Sequence, residues 1–356
     1  MMRPLIIGGG PAGSAAALAL ANHGHAATIF ERDRTTSDAI CGGFMSWRTL
    51  AALETLGIAP RGHVIDRVAL FAGDRRAEAR LPGQAIGLSR HALDSVMLTA
   101  AESVGAAVER GVEAREIEGR SVRLADGAVV DAPSVFLAVG KHDLRGSARP
   151  RDDDDPTLGL RLRLPAHLSL RALIGSAIEL HLFDRGYAGL MLHEDGTANL
   201  CMAVRKSRLT EAGGRPEALF AELGNRTPLG DRLAFAGTAT VDAIAAVPYG
   251  WRATTTEAGV FRLGDQAAVI PSLAGEGIGI AIASGIAAAA AYARGGPAAA
   301  VGQQHRFAQR SRRPVAVARK LWTFAARPGV ARAAIPVVGT FPVLAALAAR
   351  MTRIGD

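Results

Sequence analysis

The sequence predicts an α/β fold: a parallel-sheet dinucleotide-binding domain, an inserted domain on an antiparallel sheet, and a helical C-terminus. Three observations carry this. The chain opens on a short apolar run that meets Gly8-Gly9-Gly10-Pro11-Ala12-Gly13 and passes directly into an Ala/Leu run, which is how a buried strand turns into a helix around a phosphate. Beyond the acidic link Arg151–Pro156 the pattern changes to β segments at 158–164, 176–183, 187–193 and 197–205, with Asp195-Gly196 as a hairpin turn. The C-terminal segment then reads as two or three helices.

In the opening motif, Gly8 permits the tight turn, Gly10 clears space for a pyrophosphate, and Gly13 lets helix and strand pack closely. The helix spans about Ala12 to Asn22, and its N-terminal N–H groups favour an anion. A second apolar run ends in Glu31, roughly 20 residues past the glycines, where a carboxylate meets a ribose hydroxyl. After a polar loop, Cys41-Gly42-Gly43-Phe44 leads into a helix at about 47–56. The two glycines allow backbone to approach a flat ligand. Cys41 is either a thiol beside a redox ring or a small buried residue.

Residues 67–71 and 76–81 read as a hairpin around Gly73-Asp74. Ser89 caps an amphipathic helix at 91–104, with Leu93, Val96, Met97 and Ala100 expected on its buried face. Arg90 at its entrance reaches a phosphate or stands on the surface. Strands follow at 106–110, 113–117 and 121–124. Val135–Gly140 is a buried strand ending in glycine, a second place where a strand end meets the ligand. A helical run at 216–226 precedes a return through Pro248-Tyr249-Gly250. Gly264-Asp265 follows another strand, and Pro271 to Ile280 opens a long Ala-rich helix reaching about Tyr292. With Gly275-Glu276-Gly277 at its mouth, this helix is not expected to span a membrane.

The domain division expected is 1–150 plus 251–296 for the dinucleotide-binding domain, with 67–88 joining the substrate side. Residues 151–250 form the substrate-binding domain and 297–356 the helical C-terminal segment. The chain has 356 residues, 49% apolar and 5% aromatic, with a net charge of +8. Residues 298–355 contain ten Lys or Arg and no acid, so the basicity resides there. A membrane surface or an acidic carrier protein suits such a segment, a plain solvated helical face being the alternative; nucleic acid is not expected as a partner. Ala333–Ala349 is apolar, and Pro336 and Pro342 are expected to break it. It lies in a membrane interface, caps an apolar tunnel, or packs on the substrate domain. Two cysteines make no disulfide framework and no signal sequence precedes the first strand, so the cytoplasm is the expected compartment, with peripheral membrane contact open. No metal site is expected.

The Gly8/Gly10/Gly13 turn with Glu31-Arg32, the Gly140 strand end and the Gly264-Asp265 segment together resemble flavoproteins of the para-hydroxybenzoate hydroxylase superfamily. Cys41-Gly42-Gly43, the run Gly275-Glu276-Gly277-Ile278 and Ala283-Ser284-Gly285 look most like the geranylgeranyl reductase family. The resemblance implies a Rossmann-like FAD-binding domain. Gly8, Gly10, Pro11, Ala12 and Gly13 would lie at the pyrophosphate, and Glu31 and Arg32 at the adenosine. Arg90 would contact the phosphate region, and Asp265 the ribityl chain or pyrophosphate. Gly140 would contact the cofactor at its strand end, Cys41, Gly42, Gly43, Gly275, Glu276, Gly277 and Ile278 would lie toward the ring system, and Phe44, Tyr187 and Pro271 would meet the substrate. Val139-Gly140 stands where the superfamily has Asp-Gly, which leaves the electron donor, NAD(P)H or a reduced carrier, open. Tyr187–Leu192 lacks the Trp and Pro of the reductases' substrate strand.

The activity expected is transfer of hydride from reduced flavin to a carbon–carbon double bond of a hydrophobic isoprenoid or polyketide-like substrate, with Cys41 as the catalytic candidate. Hydroxylation of an aromatic or polyketide substrate through a flavin hydroperoxide is the alternative within oxidoreductases. A non-catalytic, membrane-associated flavin-binding protein is the alternative of another class.

Overall fold

The computed structural model describes residues 3–150, 154–244 and 246–355. Its first sheet is parallel, in the order Val260–Arg262, Val135–Leu137, Leu5–Ile7, Thr28–Glu31 and Ala107–Arg110. Both faces are covered, as a parallel sheet requires. Ile6, Ile29, Phe136 and Phe261 point into a core shared with the helices, while Leu5, Ile7, Phe30 and Val135 pack on a small antiparallel sheet that includes Ala114, Ile117 and Val122.

Two helices set the positions that matter most. Pro11–Asn22 and Gly277–Gly295 cross so closely that a β-carbon at Gly285 would lie 2.6 Å from the carbonyl oxygen of Ala12 and 2.9 Å from the nitrogen of Ala16. The alanines of both helices make this approach possible. The later helix is apolar because it is core: Ile278, Ile280, Ile282, Ala288 and Ala289 are buried. On the third helix, Arg90–Ser103, the buried face is Leu93, Asp94, Met97, Leu98 and Ala101. Val96, expected inside, is exposed, because the helix is rotated to bring Asp94 and Leu98 inward.

The second sheet has eight strands, in the order Val241–Ile244, Thr157–Leu164, Ala198–Arg205, Gly186–Leu192, Ala177–Phe183, His63–Ala72, Arg75–Gly87 and Phe44–Met45. The hairpin at 63–87 is longer than the two short strands expected, and its first strand runs parallel to Ala177–Phe183. Short helices at Leu168–Ile174, Lys206–Glu211 and Pro228–Leu233 have no counterpart in the sequence reading. Of the acidic link, residues 151–153 lie outside the described residues. Asp155 is tied down: its carboxylate accepts from the backbone N–H (2.8 Å) and hydroxyl (2.7 Å) of Ser207.

The C-terminal segment forms three helices, Ala299–Ala325, Pro328–Thr340 and Val343–Met351. Pro336 does not break its helix. A proline there leaves the carbonyl of Arg332 without its i+4 donor, and the Arg75 guanidinium supplies one at 3.0 Å. Pro342 instead stands at the N-cap of the last helix. Ala331 and Ile335 pack on Ala72 and Ala77 of the hairpin, so this segment lies against the eight-stranded sheet.

Candidate active site: a continuous cavity from the glycine turn to the apolar sheet

The two sheets and the C-terminal helices enclose one cavity of about 1180 Å³. That exceeds the roughly 300–1,000 Å³ usual for a single ligand. It begins at the glycine turn. Gly8 has φ +102°, and a β-carbon on it would lie 2.6 Å from the carbonyl oxygen of Ala138. The helix beginning at Pro11 has no side-chain cap, so its first N–H groups are left for an anion. Glu31 accepts from the backbone N–H groups of Gly9 (2.8 Å) and Asp33 (2.9 Å), which leaves each carboxylate oxygen able to accept a hydroxyl as well. Gly8, Gly9, Gly10, Pro11, Ala12, Glu31 and the exposed Arg32 line the cavity. Gly13 does not. Its missing side chain makes room for the carbonyl of Gly8, so it is a packing glycine and not a pyrophosphate contact.

Arg90 lines the same end. Its Nε and Nη2 pair with the two carboxylate oxygens of Asp94 at 2.8 and 2.7 Å, and a β-carbon on Gly10 would lie 3.2 Å from Nη2. The charge is therefore fixed directly over the turn, in a partly buried, bidentate pair.

In the middle of the cavity, Cys41, Gly42 and Gly43 form one wall. Asn199 donates to the carbonyls of both Cys41 and Gly42 at 2.9 Å. Lys141 Nζ donates to the carbonyl of Ile40 at 2.5 Å, and Arg161 donates to the carbonyl of Asp38 at 2.8 Å. His193 Nε2 lies 3.2 Å from the carbonyl of Gly42, and its Nδ1 is buried without a partner. Burial holds its pKa below the ordinary imidazole value, so the ring is neutral and donates through Nε2. A β-carbon on Gly43 would lie 2.5 Å from that nitrogen. The position and φ of +79° both demand glycine.

The opposite wall carries Gly140, Gly264, Asp265 and Gly275. Arg149, buried, ties it together: it pairs with Asp143 at 2.7 Å and donates to the carbonyls of Lys141 (2.7 Å) and Asp265 (3.1 Å). Gln266 donates to the carbonyls of Gly140 (2.9 Å) and His142 (2.7 Å). Gly277 and Ile278 open the long helix onto the cavity, again without a side-chain cap. Glu276, expected at the ring system, is fully buried and faces away. It accepts from Arg353 Nη1 at 2.6 Å and from the backbone N–H of Ile354 at 3.1 Å. It anchors the C-terminus because the turn at Gly275, φ +62°, points its side chain outward from the cavity.

On the apolar side, Phe44 and Tyr187 line the cavity and Pro271 does not. Its neighbours Ile270 and Ser272 do, since the turn rotates the proline ring into the protein. The Tyr187 hydroxyl donates to Ser272 Oγ at 2.7 Å, and Tyr249 lies 2.6 Å from the same oxygen. Burial raises both phenols, Tyr249 to about 12 and Tyr187 well above its ordinary value. Both therefore stay protonated. Cys201, also on the wall, is pushed by burial to about 12 and stays a thiol. Tyr249, Asn199, Arg149 and Arg353 were not singled out from sequence. Asn199 alone left a signal, as a polar residue inside the apolar run Ala198–Val204.

The cavity fits FAD on the observation of its glycines. A β-carbon at Gly42, Gly140 or Gly277 would meet no protein atom within 4 Å, so these positions leave free space along the cavity wall. Two uncapped helix N-termini open onto it, suited to a diphosphate and to an anionic ring edge.

Comparison with known proteins agrees. Residues 1–127 match the FAD binding domain family. The menaquinone reductase of Mycobacterium tuberculosis is 26% identical over 321 residues, 80% of this chain and 75% of that one. Among solved structures, a geranylgeranyl bacteriochlorophyll reductase-like protein from Thermoplasma acidophilum superposes with a TM-score of 0.76 at 18% identity, covering 98% of this chain and 95% of that one. A probable FAD-dependent monooxygenase from Pseudomonas aeruginosa superposes with a TM-score of 0.74, also at 18% identity, covering 94% and 99%. The chain is a flavin-dependent oxidoreductase whose residues 1–127 match the FAD binding domain family and whose fold is the one these flavin-dependent reductases and monooxygenases share.

Proposed function

We propose that the protein reduces a carbon–carbon double bond in a long hydrophobic substrate of isoprenoid type. The observation that carries this reading is the continuity of the cavity: beyond the glycine turn it runs on between aliphatic walls, Leu70, Leu81 and Leu180 on the sheet and Val330, Ala334 and Val338 on the C-terminal helices. Such walls suit an extended aliphatic chain better than a small polar aromatic ring. The relative named menaquinone reductase supports an isoprenoid quinone as the substrate class.

Gly8 to Ala12 and the helix behind them would hold the diphosphate, Glu31 the ribose, and the mouth of the helix at Gly277 the ring system. Bound FAD, once reduced by NAD(P)H or a reduced carrier, supplies an electron pair as hydride. The chain's own residues exclude water through the apolar walls and supply the proton. Tyr249 and Tyr187, joined through Ser272, are the protonated hydroxyls available inside this wall, and Cys41 is the thiol on the cavity wall beside the paired glycines.

The test is anaerobic. The FAD-loaded protein is bleached with dithionite and mixed with polyprenyl quinones and prenyl diphosphates. Return of the yellow colour, with a product whose prenyl chain is still heavier by two hydrogens after the quinone head has been reoxidised in air, is the expected result. Return of colour only on admitting oxygen, with an oxygen atom in the product, identifies hydroxylation instead and overturns the reading.

A further inference from the structure

The helices Pro328–Thr340 and Val343–Met351 expose an apolar face to solvent. Phe341 is 57% exposed, Val343 68% and Leu347 51%, and the last helix buries none of its residues. Soluble surfaces carry scattered apolar residues, but here they cluster at one bend. Phe324, Val330 and Leu344 are also exposed, at 52%, 42% and 43%, and these same three line the cavity. The apolar face and the mouth of the active-site cavity are therefore one surface.

The charged residues of the C-terminal segment itself have one sign. No Asp or Glu occurs in residues 298–355, and Arg319, Lys320, Arg327 and Arg350 are exposed there. Asp74 balances Arg332 across 2.9 Å, which leaves the others to act outward. An apolar bend ringed by cations is what an interfacial helix needs to enter an anionic bilayer.

We infer that this bend is a membrane-docking face for anionic phospholipid, and that the cavity loads from the bilayer through the opening edged by Phe324, Val330 and Leu344. The inference rests on the hydrophobic-substrate reading for its purpose but not for its test. An aliphatic substrate would pass from lipid to the cavity without crossing water, a transfer whose cost grows by about 0.8 kcal/mol per CH₂ exposed. The alternative occupant, an acidic carrier protein, would use the cations but gives no role to an exposed apolar bend.

The experiment is co-sedimentation of the FAD-loaded full chain with vesicles of phosphatidylcholine alone and with vesicles also containing phosphatidylglycerol, followed by flavin absorbance. Binding is expected to the phosphatidylglycerol vesicles, weakening by about fivefold for each basic residue neutralised at the rim. The variant Val343→Ser/Leu347→Ser lies outside the cavity wall. It is expected to lose vesicle binding by about tenfold or more while retaining its FAD content and melting temperature. Sedimentation unchanged in that variant, or sensitive to salt but not to these two substitutions, would place the vesicle contact on the cations and away from the apolar bend and overturn the inference. No sedimentation with either vesicle overturns it too. Because binding is read without turnover, a failed reduction assay leaves this result intact, and the converse also holds.

Discussion

Arg353, near the end of the chain, places Nη1 2.6 Å from Glu276 Oε2 at the mouth of the helix facing the cavity, and both side chains are buried. The same Nη1 donates to the carbonyls of Ala274 (2.8 Å) and Gly275 (3.2 Å), and the guanidinium stands over Phe44 and Trp47. One arginine thus fixes the turn from which the helix N-terminus opens onto the cavity. Removing one partner of a buried pair leaves the other charge without compensation. Arg353→Ala is expected to cost about 3–5 kcal/mol of stability and to release FAD on gel filtration. Glu276→Gln keeps an acceptor and is expected to cost less. Denaturant melts of both variants, with flavin content read alongside, check this. Equal FAD retention in Arg353→Ala would detach the tail from the site.

Two glycine substitutions separate folding from cofactor binding. A β-carbon at Gly285 collides with the backbone of Ala12 and Ala16, so Gly285→Ala is expected to destabilise the protein by about 1–3 kcal/mol with or without FAD. Gly42 faces open space. Gly42→Ala is expected to leave the flavin-free melting temperature within the small range of neutral substitutions, about ±0.5 kcal/mol, yet to weaken FAD by about tenfold, or 1.4 kcal/mol. Titration of flavin fluorescence on both variants decides. If Gly42→Ala binds FAD normally, the ring system does not lie against this wall.

Legibility from sequence divides along a physical line. The glycine turn, Glu31, the strand ends at Gly140 and Gly264, and the Cys41 loop were readable because they depend on local backbone geometry, which short motifs encode. Glu276 and Pro271 sit in such a motif, but their orientation follows from partners far along the chain, and Arg353 is 77 residues away. Tyr249, Ser272 and Tyr187 meet only when the eight-stranded sheet closes over the first domain, and no spacing records that. The C-terminal helices were visible as helices. Their role as a cavity wall was one of several open readings, since it depends on docking against the hairpin at Ala72 and Ala77. Pro336 misled for the same reason: the donor that satisfies Arg332 comes from Arg75.

The buried imidazole of His193 makes stability depend on pH. Burial lowers its pKa in the folded chain, and a proton on Nδ1 would enter a place with no acceptor. Near pH 6.5 and below, the unfolded chain therefore binds a proton that the folded chain refuses, and stability falls as pH falls, levelling off once the folded pKa is passed. His142, also lowered chiefly by burial, contributes in the same direction. His193→Gln retains a donor for the carbonyl of Gly42 and removes the titration. Melting temperatures of wild type and variant, taken on either side of about pH 6.5, are expected to show a shallower acid decline for the variant. Parallel declines would assign the dependence elsewhere.

Ser272 Oγ joins the Tyr187 and Tyr249 hydroxyls within 2.7 and 2.6 Å, and both phenols titrate far above neutrality because they are buried. They are therefore donors across the working pH range, and turnover limited by them should be flat from acid to mildly alkaline pH. A positioned general acid is worth about 10²–10⁴-fold. With one hydroxyl left on the serine, Tyr249→Phe is expected to lower kcat by about the smaller of these factors, with FAD binding unchanged, and Tyr249→Phe/Tyr187→Phe by more. A solvent deuterium isotope effect on turnover should grow in the single variant as proton delivery becomes limiting. Cys41→Ala provides the contrast: it should depress turnover without altering that isotope effect, since the phenols remain. A Tyr249→Phe protein with wild-type kcat and isotope effect would place the proton source in solvent, whereas loss of the effect in Cys41→Ala would place it on the thiol.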